Sequence, residues 1–404
     1  MTVHLPMSQI SAPSALRVLI ISEPGVAGVF RIVEALIHFL LSRGVEVDLA
    51  YSDLRGGPDL EELISYVESH NGRTLNLRVG NRPQFGDLPA LVQLGRLVSE
   101  RKPQVIHAHS SKAGVLGRSL RFLGVRGAYF YSPHAYFGMG RSGKSAALFN
   151  AIESLFACVG TTLLTSRSES LFAREKLGVS EQRVIIIPNG VDCKKFHPPT
   201  HVETRDLRVL LGIPEDAIVL GTVARYSHQK DPLTLHAVIR ELLPKHENLW
   251  FVHLGKGELW DDVSALGAAH PRILRLPSFQ SLADYYRALD GFALLSRYEG
   301  FSLAVLEALA TGLPLVLSRA PGNRDFGSFG LNAIHWSDSG NVNQLRQALD
   351  DWLSNLHRPN NHREIVLKTF QTHECFQRVL REYENALGGC TAVFRDDRQP
   401  HCSP

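Results

Sequence analysis

The sequence lacks several features that would commit it to particular chemistries. No apolar run approaches the ~18 residues that a membrane-crossing helix needs, and the first fourteen residues have no apolar core of a secretory signal. Its five cysteines, Cys158, Cys193, Cys375, Cys390 and Cys402, are odd in number and show no C-x-x-C spacing, which points to free thiols in a reducing compartment. No Asp-x-Asp, Cys/His cluster or EF-hand spacing is present, so no metal site and no cofactor are expected. The formal net charge is only +3, from 43 basic and 40 acidic residues, too small to argue for nucleic acid. The first strand–loop–helix lacks G-x-G-x-x-G, which weakens a dinucleotide site.

What is present is an ordinary globular composition, 44% hydrophobic and 21% charged, in a chain of 404 residues. That length exceeds what one core usually supports, so two domains are expected. Short apolar runs alternate with helical patterns. In the first half, 16–22, 45–51, 105–110, 128–134, 161–166 and 184–187 read as strands, with helices over 31–43 and 169–177. Gly25 and Gly28 fall in the first loop, Glu23–Phe30, where a tight turn and a direct ligand contact explain them equally well. His109 and His134 end two of the strands, where a packed histidine and a reacting one are both admissible. The proline-rich PNGVDCKKFHPP, Pro188–Pro199, reads as a linker.

In the second half, 217–225 and 249–257 read as strands, 343–356 as a helix and 364–386 as one longer helical stretch. Arg225 and Lys230 flank a strand-to-helix loop, a place suited to a diphosphate, and a charge-assisted hydrogen bond there is worth roughly 1.5–3 kcal/mol. The densest stretch is RYEGFSLAVLEALATGLPLV, Arg297–Val316. A buried strand, 291–296, precedes it, and a helix over 302–311 is ended by Gly312 with Pro314 beyond. That helix is apolar on every side except at Glu307, a carboxylate that needs a hydrogen-bond partner if it is buried. Five residues of helix separate Glu307 from Ser302, roughly 7.5 Å along the axis. Glu299 and Glu307 are therefore not the close pair, ~5–5.5 Å, of a retaining glycosidase. They look like grips on two parts of one elongated ligand, with a helix N-terminus between them that suits a phosphate.

E-G-F-S-L-A-V-L-E-A-L-A-T-G-L-P-L-V closely resembles the E-x7-E signature of the retaining, nucleotide-sugar-dependent glycosyltransferases of family 4. H-A-H-S-S-K-A-G-V-L-G-R and Y-S-P-H-A-Y resemble the subgroup that assembles bacterial surface polysaccharides. The resemblance runs from Leu16 to Ala386 and is tightest in the second half. It implies an α/β GT-B fold, two Rossmann-like domains with parallel sheets facing across a cleft. The implied divisions are a flexible 1–14, an acceptor domain 15–188, a linker 189–200, a nucleotide-sugar domain 201–362, a helix 363–387 crossing back to the first domain, and a flexible tail 388–404.

The implied activity is retaining, metal-independent transfer of a sugar from a UDP- or GDP-sugar to a glycan or polyprenyl-diphosphate-linked saccharide, in exopolysaccharide, capsule or O-antigen synthesis. Arg225 and Lys230 would hold the donor diphosphate. Gly255, in the glycine turn Gly255–Gly257, would line the donor site, and Leu276–Phe279 departs from the family where it meets the base. Glu299, with the backbone of Gly300, Phe301, Ser302 and Leu303, would hold the donor sugar and phosphate, and Glu307 the ribose. Glu299, His134, Lys230 and Arg225 form the catalytic set, with Glu299 as a covalent nucleophile the alternative to a same-face reaction. Gly25, Gly28 and His109 belong to the acceptor or phosphate loop. The segment Arg118–Lys144, mixing Arg118, Arg121, Arg126, Arg141 and Lys144 with Phe122, Leu123, Phe137 and Met139, reads either as solvated helix faces or as a surface for anionic lipid. A cytoplasmic protein, peripheral on the inner face of the membrane, follows. A GT-B sugar-nucleotide epimerase and a catalytically silent partner subunit are the competing readings.

Overall fold

The computed structural model describes residues 16–80, 86–267, 269–359 and 361–388. The expected flexible ends, with Cys390 and Cys402, lie outside the described residues apart from Gly388. Two parallel sheets follow each other along the chain.

The first sheet is built from β1 (Arg17–Ser22), β2 (Glu46–Tyr51), β3 (Thr74–Asn76), β4 (Val105–His109), β5 (Ala128–Ser132), β6 (Thr161–Leu164) and β7 (Val184–Ile186). The helices between these strands are α1 (Ala27–Ser42), α2 (Pro58–Ser69), α3 (Asp87–Arg101), α4 (Ser111–Phe122), α5 (Lys144–Leu155) and α6 (Arg167–Leu177). Its strand order is β3-β2-β1-β4-β5-β6-β7.

The second sheet follows α7 (His201–Leu211) and comprises β8 (Ile218–Val223), β9 (Leu249–Leu254), β10 (Ile273–Leu276), β11 (Gly291–Leu294), β12 (Leu315–Ser318) and β13 (Ile334–Ser337). Helices α8 (Pro232–Leu242), α9 (Trp260–Ser264), α10 (Leu282–Arg287) and α11 (Leu303–Ala310) lie between them, and α12 (Val342–Ser354), α13 (His362–Thr369) and α14 (Thr372–Ala386) follow. The order is β10-β9-β8-β11-β12-β13, parallel and reversing at β8, the Rossmann pattern whose ligands bind beyond the strand ends.

By backbone proximity, residues 16–130 with 377–388 form one compact unit, and Tyr131–Phe376 the other. In the first unit, Val18, Leu19, Ile20 and Ile21 of β1 are sealed from solvent, as expected of a strand covered on both faces. Tyr383 of α14 packs edge-on to Phe130 and its hydroxyl lies 2.6 Å from His107 Nδ1, so this part of α14 is tied to β4 and β5.

In the second unit, the core runs through Val219, Phe292, Leu306 and Leu309, and each such buried side chain contributes roughly 1.5–3 kcal/mol. One expectation is corrected here. The helical stretch 364–386 is broken into α13 and α14, because Phe370 turns inward between the rings of Phe301 and Phe329, at 5.3 and 4.8 Å. At that break the linker joins in: the Val191 amide bonds to the Phe370 carbonyl at 2.7 Å, and Val191 bridges to Gln371. Arg363 donates to the carbonyls of Cys193, Phe196 and Ala310, so the prolines of this segment do not leave it unanchored.

Candidate active site

Helix α11 starts where the sequence placed it. Ser302 is the N-cap, yet its side chain makes no cap hydrogen bond, and among the described residues the amides of the first turn have no side-chain partner. Thr311 and Gly312, the latter at φ +77°, end the helix. All residues from Val305 to Ala310 are buried, including Glu307, whose Oε2 lies 2.9 Å from the Tyr286 hydroxyl. The isolated carboxylate therefore has the partner its burial demands.

The loop before α11 is held from below. Glu299 donates its amide to the Pro321 carbonyl at 2.9 Å. Gly322 sits at φ +85°, and a Cβ there would lie 2.4 Å from the Glu299 carbonyl oxygen, so no other residue fits under the loop. Asn323, fully buried, donates to the Leu294 carbonyl and Ser318 Oγ. Ala320–Asn323 is therefore part of the site's frame. The P-G-N turn signal after a strand was legible, but not what it would support.

The Glu299 carboxylate accepts from Lys230 Nζ at 2.5 Å and from Ser296 Oγ. Both charges are largely buried, with side-chain exposures of 9% and 15%, so each stabilises the other against desolvation. Sequence-distant candidates are thus in direct contact. Lys230 closes the loop after β8, its amide bonded to the Ser227 carbonyl. Arg225, in the same loop, is exposed and makes no side-chain hydrogen bond or ion pair among the described residues.

The β8 loop rests on the glycine turn after β9. A Cβ on Gly255 would approach the Ala224 oxygen to 2.1 Å, and one on Gly257 the Tyr226 oxygen to 2.4 Å. These glycines are thus required by contact between two loops, whatever ligand lies beyond. A histidine chain supports the same place. His253 Nε2 lies 2.9 Å from the Ala224 carbonyl, and His253 Nδ1 lies 2.9 Å from His236 Nε2. A carbonyl can only accept, so His253 carries its proton on Nε2 and His236 donates to its Nδ1. Burial pushes His236 down to about 2 and His253 to about 3, which keeps both neutral.

The end of β5 meets the Glu299 loop inside the same unit. His134 and Ala135 both take positive φ, 53° and 82°, a conformation that costs roughly 1–3 kcal/mol per residue. Glu169 offsets it. Its Oε1 accepts from the Ala135 amide at 2.6 Å, and Oε2 from the Thr165 amide and hydroxyl at 2.7 and 2.6 Å. The carboxylate is fully buried, and that burial raises its pKa against the pull of these donors. A Cβ on Gly300 would lie 3.0 Å from Thr165 Oγ1 and 3.2 Å from Glu169 Oε1. Burial pushes the His134 imidazole down to about 4, so it is neutral at physiological pH.

Glu169 was missed from sequence. Ser166–Glu169 spells a capping box, S-x-x-E, and Ser166 does cap α6, but the carboxylate reaches back to Thr165 and Ala135 instead of Ser166. One placement differs from expectation. Gly28 lies in the first turn of α1, which begins at Ala27 (φ +66°), instead of in the preceding loop; Gly25 stays in that loop and is buried. Phe301 contributes its ring to the core, stacked on Phe326 at 4.1 Å, because an aromatic at this position fills the space under α11; only its backbone stays at the loop. Leu303 is half-buried at the first position of α11. His109 is buried in the first unit with its ring 3.9 Å from that of His107. Among the described residues, no group of three or more His, Cys, Asp or Glu could hold a metal.

Two Rossmann-like parallel sheets with their helices have the α/β architecture of GT-B structural neighbours. Residues 203–367 match the model described as glycosyl transferases group 1, and residues 26–195 the one described as Glycosyltransferase Family 4. The chain belongs to glycosyltransferase family 4. It is 29% identical, over 85% of its length and 90% of the relative's, to the UDP-Gal:alpha-D-GlcNAc-diphosphoundecaprenol alpha-1,3-galactosyltransferase of Escherichia coli. The fold matches sucrose-phosphate synthase from Thermosynechococcus elongatus, with a TM-score of 0.75, 19% identity, and coverage of 93% of this chain and all of that one. Anabaena HepE in complex with UDP and glucose also matches, with a TM-score of 0.75, 18% identity, and coverage of 92% and 100%.

Proposed function

We propose that the protein is a retaining, metal-independent glycosyltransferase. It moves a hexose from a UDP- or GDP-sugar onto a polyprenyl-diphosphate-linked saccharide during surface-polysaccharide assembly. The observation that carries this is the Lys230–Glu299 pair in front of the uncapped N-terminus of α11. Lys230, Arg225 and the α11 amides stabilise charge on the departing diphosphate, as preorganised donors in a dry site do. Glu307, in contact with Tyr286, binds the ribose, and Glu299 with the Gly300 backbone orients the sugar. The C1–O bond to the diphosphate breaks and the acceptor oxygen bonds to C1 on the same face. The acceptor proton passes to the leaving phosphate oxygen. His134, held neutral, hydrogen-bonds the reacting sugar. Gly25, Gly28 and His109 serve the acceptor side.

The acceptor class rests on the Escherichia coli relative, whose name specifies a diphosphoundecaprenol-linked GlcNAc acceptor. No helix among the described residues is long and apolar enough to cross a membrane. Exposed Phe122 and Leu123 lie beside Arg121 and Arg126, and α5 exposes Leu148 and Leu155 on the stripe that begins at Lys144. These support peripheral contact with an anionic inner-membrane surface.

The melting temperature should rise with saturating UDP or GDP and not with NAD, since ~100 Kd of a native-state ligand adds about 2.7 kcal/mol. Labelled UDP- and GDP-hexoses are then offered with GlcNAc-diphospho-lipid, and the anomeric configuration of the product is read by NMR. Inversion would overturn the retaining assignment. Nucleotide binding with no transfer to any lipid-linked saccharide would favour a silent partner subunit.

A further inference from the structure

Arg141 follows the His134–Ala135 turn, and its guanidinium is fixed in place without any acid. It lies over the Phe137 ring, 4.1 Å from the centroid, and 5.4 Å from that of Tyr298. Its Nε donates to the Tyr298 hydroxyl at 2.9 Å. Nη1 and Nη2 have no protein partner among the described residues, and the residue is exposed. The turn is pressed against the Glu299 loop: a Cβ on Gly140 (φ +63°) would lie 2.9 Å from Tyr298 Cβ. Burial raises the Tyr298 phenol while Arg141 and Arg225 pull it the other way, so both guanidiniums act on one uncharged phenol. Arg297, next in sequence, is different, since it pairs with buried Asp231 at 3.4 Å. An arginine whose flat face is packed and whose fork is left open is preorganised for a bidentate oxyanion.

We infer that Arg141 binds a phosphate of the acceptor, so that the site takes a second diphosphate, on the saccharide acceptor, beside the donor's. This rests on the function proposed above and names what distinguishes its acceptor from a free sugar. A lipid headgroup offers the same phosphate chemistry. The place of Arg141 against Tyr298, next to Glu299, assigns the acceptor rather than the membrane.

The test uses the full chain with UDP saturating, so that the donor site is filled, and farnesyl diphosphate as the probe in calorimetric titration. Wild type binds. Arg141→Gln weakens binding at least tenfold, and Arg141→Lys, a point charge without the fork, falls between. No binding by wild type, or equal binding by Arg141→Gln when its melting temperature matches wild type, overturns the inference. In a parallel arm, vesicles of phosphatidylglycerol and phosphatidylcholine are sedimented with each protein. If Arg141→Gln loses vesicles while keeping farnesyl diphosphate, the residue serves the headgroup and the inference is wrong. In transfer assays, Arg141→Gln should lose at least tenfold more on GlcNAc-diphosphofarnesol than on octyl-GlcNAc. If wild type transfers to neither acceptor, the proposed function fails, while the farnesyl diphosphate titration still decides Arg141.

Discussion

The two sheets hold their candidate residues in different ways. After β8 and β11, side chains meet directly: Lys230 reaches Glu299, and Glu307 meets Tyr286. After β5, the candidate is positioned through backbone. His134 sits in a left-handed turn that a buried carboxylate, Glu169, holds by an amide. His109, by contrast, ends β4 in a regular strand, packed on another histidine. In the proposed mechanism the contact between opposite charges would serve the charge that develops in the reaction, and the strained turn would serve to keep an orientation. His109 itself keeps strand geometry, the positive φ of 82° falling on Ser110 after it.

The largest effect expected from this contrast is at Lys230. Lys230→Ala should lower kcat by roughly 100- to 1,000-fold, the range for losing one preorganised donor, with a smaller change in donor KM. It also leaves Glu299 buried without its cation, which costs about 3–5 kcal/mol. The double variant Lys230→Met/Glu299→Gln should regain melting temperature without regaining turnover. Recovery of both would mean that the pair is only structural.

Next comes Glu169. Glutamine keeps its shape but turns an NH2 toward the Ala135 or Thr165 donors, leaving a buried donor unsatisfied at roughly 1–3 kcal/mol. Glu169→Gln should therefore reduce kcat about 10-fold or more, with donor KM within about twofold. A loss confined to thermal stability would remove Glu169 from the positioning of His134.

How much of this was legible follows from the same contrast. The α11 region could be read residue by residue because helix signals are local: an apolar run, Gly312, Pro314, one acid. The Lys230–Glu299 contact depends on two loops separated by 69 positions, and only resemblance to a family joined them. Glu169 was hidden because its sequence pattern has a local explanation, a capping box, that the tertiary structure overrides. The break at Phe370 was hidden for a related reason. Its inward turn depends on Phe301, Phe329 and Val191, none of them near in sequence. Gly255 was read as a ligand glycine from its motif, although close approach of the Ala224 carbonyl already demands it.

A moderate effect is expected at Glu307, where Glu307→Gln should raise donor KM about 5- to 20-fold, as for one charge-assisted hydrogen bond, with kcat little changed. Equal losses in kcat would move Glu307 from ribose binding to the chemistry.

The buried histidines supply a separate, pH-dependent term. His236 and His253 have folded pKa values of about 2 and 3, below the ordinary 6.5. The unfolded chain then binds more protons below pH 6.5, so stability is complete above that pH and falls as the pH drops, by up to about 1.4 kcal/mol per pH unit for each histidine. Urea titrations from pH 7 to 4.5 should show this slope, and His236→Gln should reduce it. An unchanged slope would mean that the pair does not couple folding to protons.

The smallest effect is at Gly28, and it decides what the first loop is for. Gly28 is a helical residue with nothing within 4 Å of where a Cβ would sit, and α1 has no side-chain cap. Alanine there meets no protein atom and removes chain entropy from the unfolded state, so stability should rise by roughly 0.4–1 kcal/mol. If a ligand approaches the open first turn of α1, the added methyl group sits in its way, and acceptor KM should rise about threefold to tenfold despite the higher melting temperature. We expect that opposition, since a stabilising change that harms binding can only act through what comes to the surface from outside. A stabilised Gly28→Ala protein with unchanged KM for donor and acceptor would leave the glycine a helix residue and nothing more.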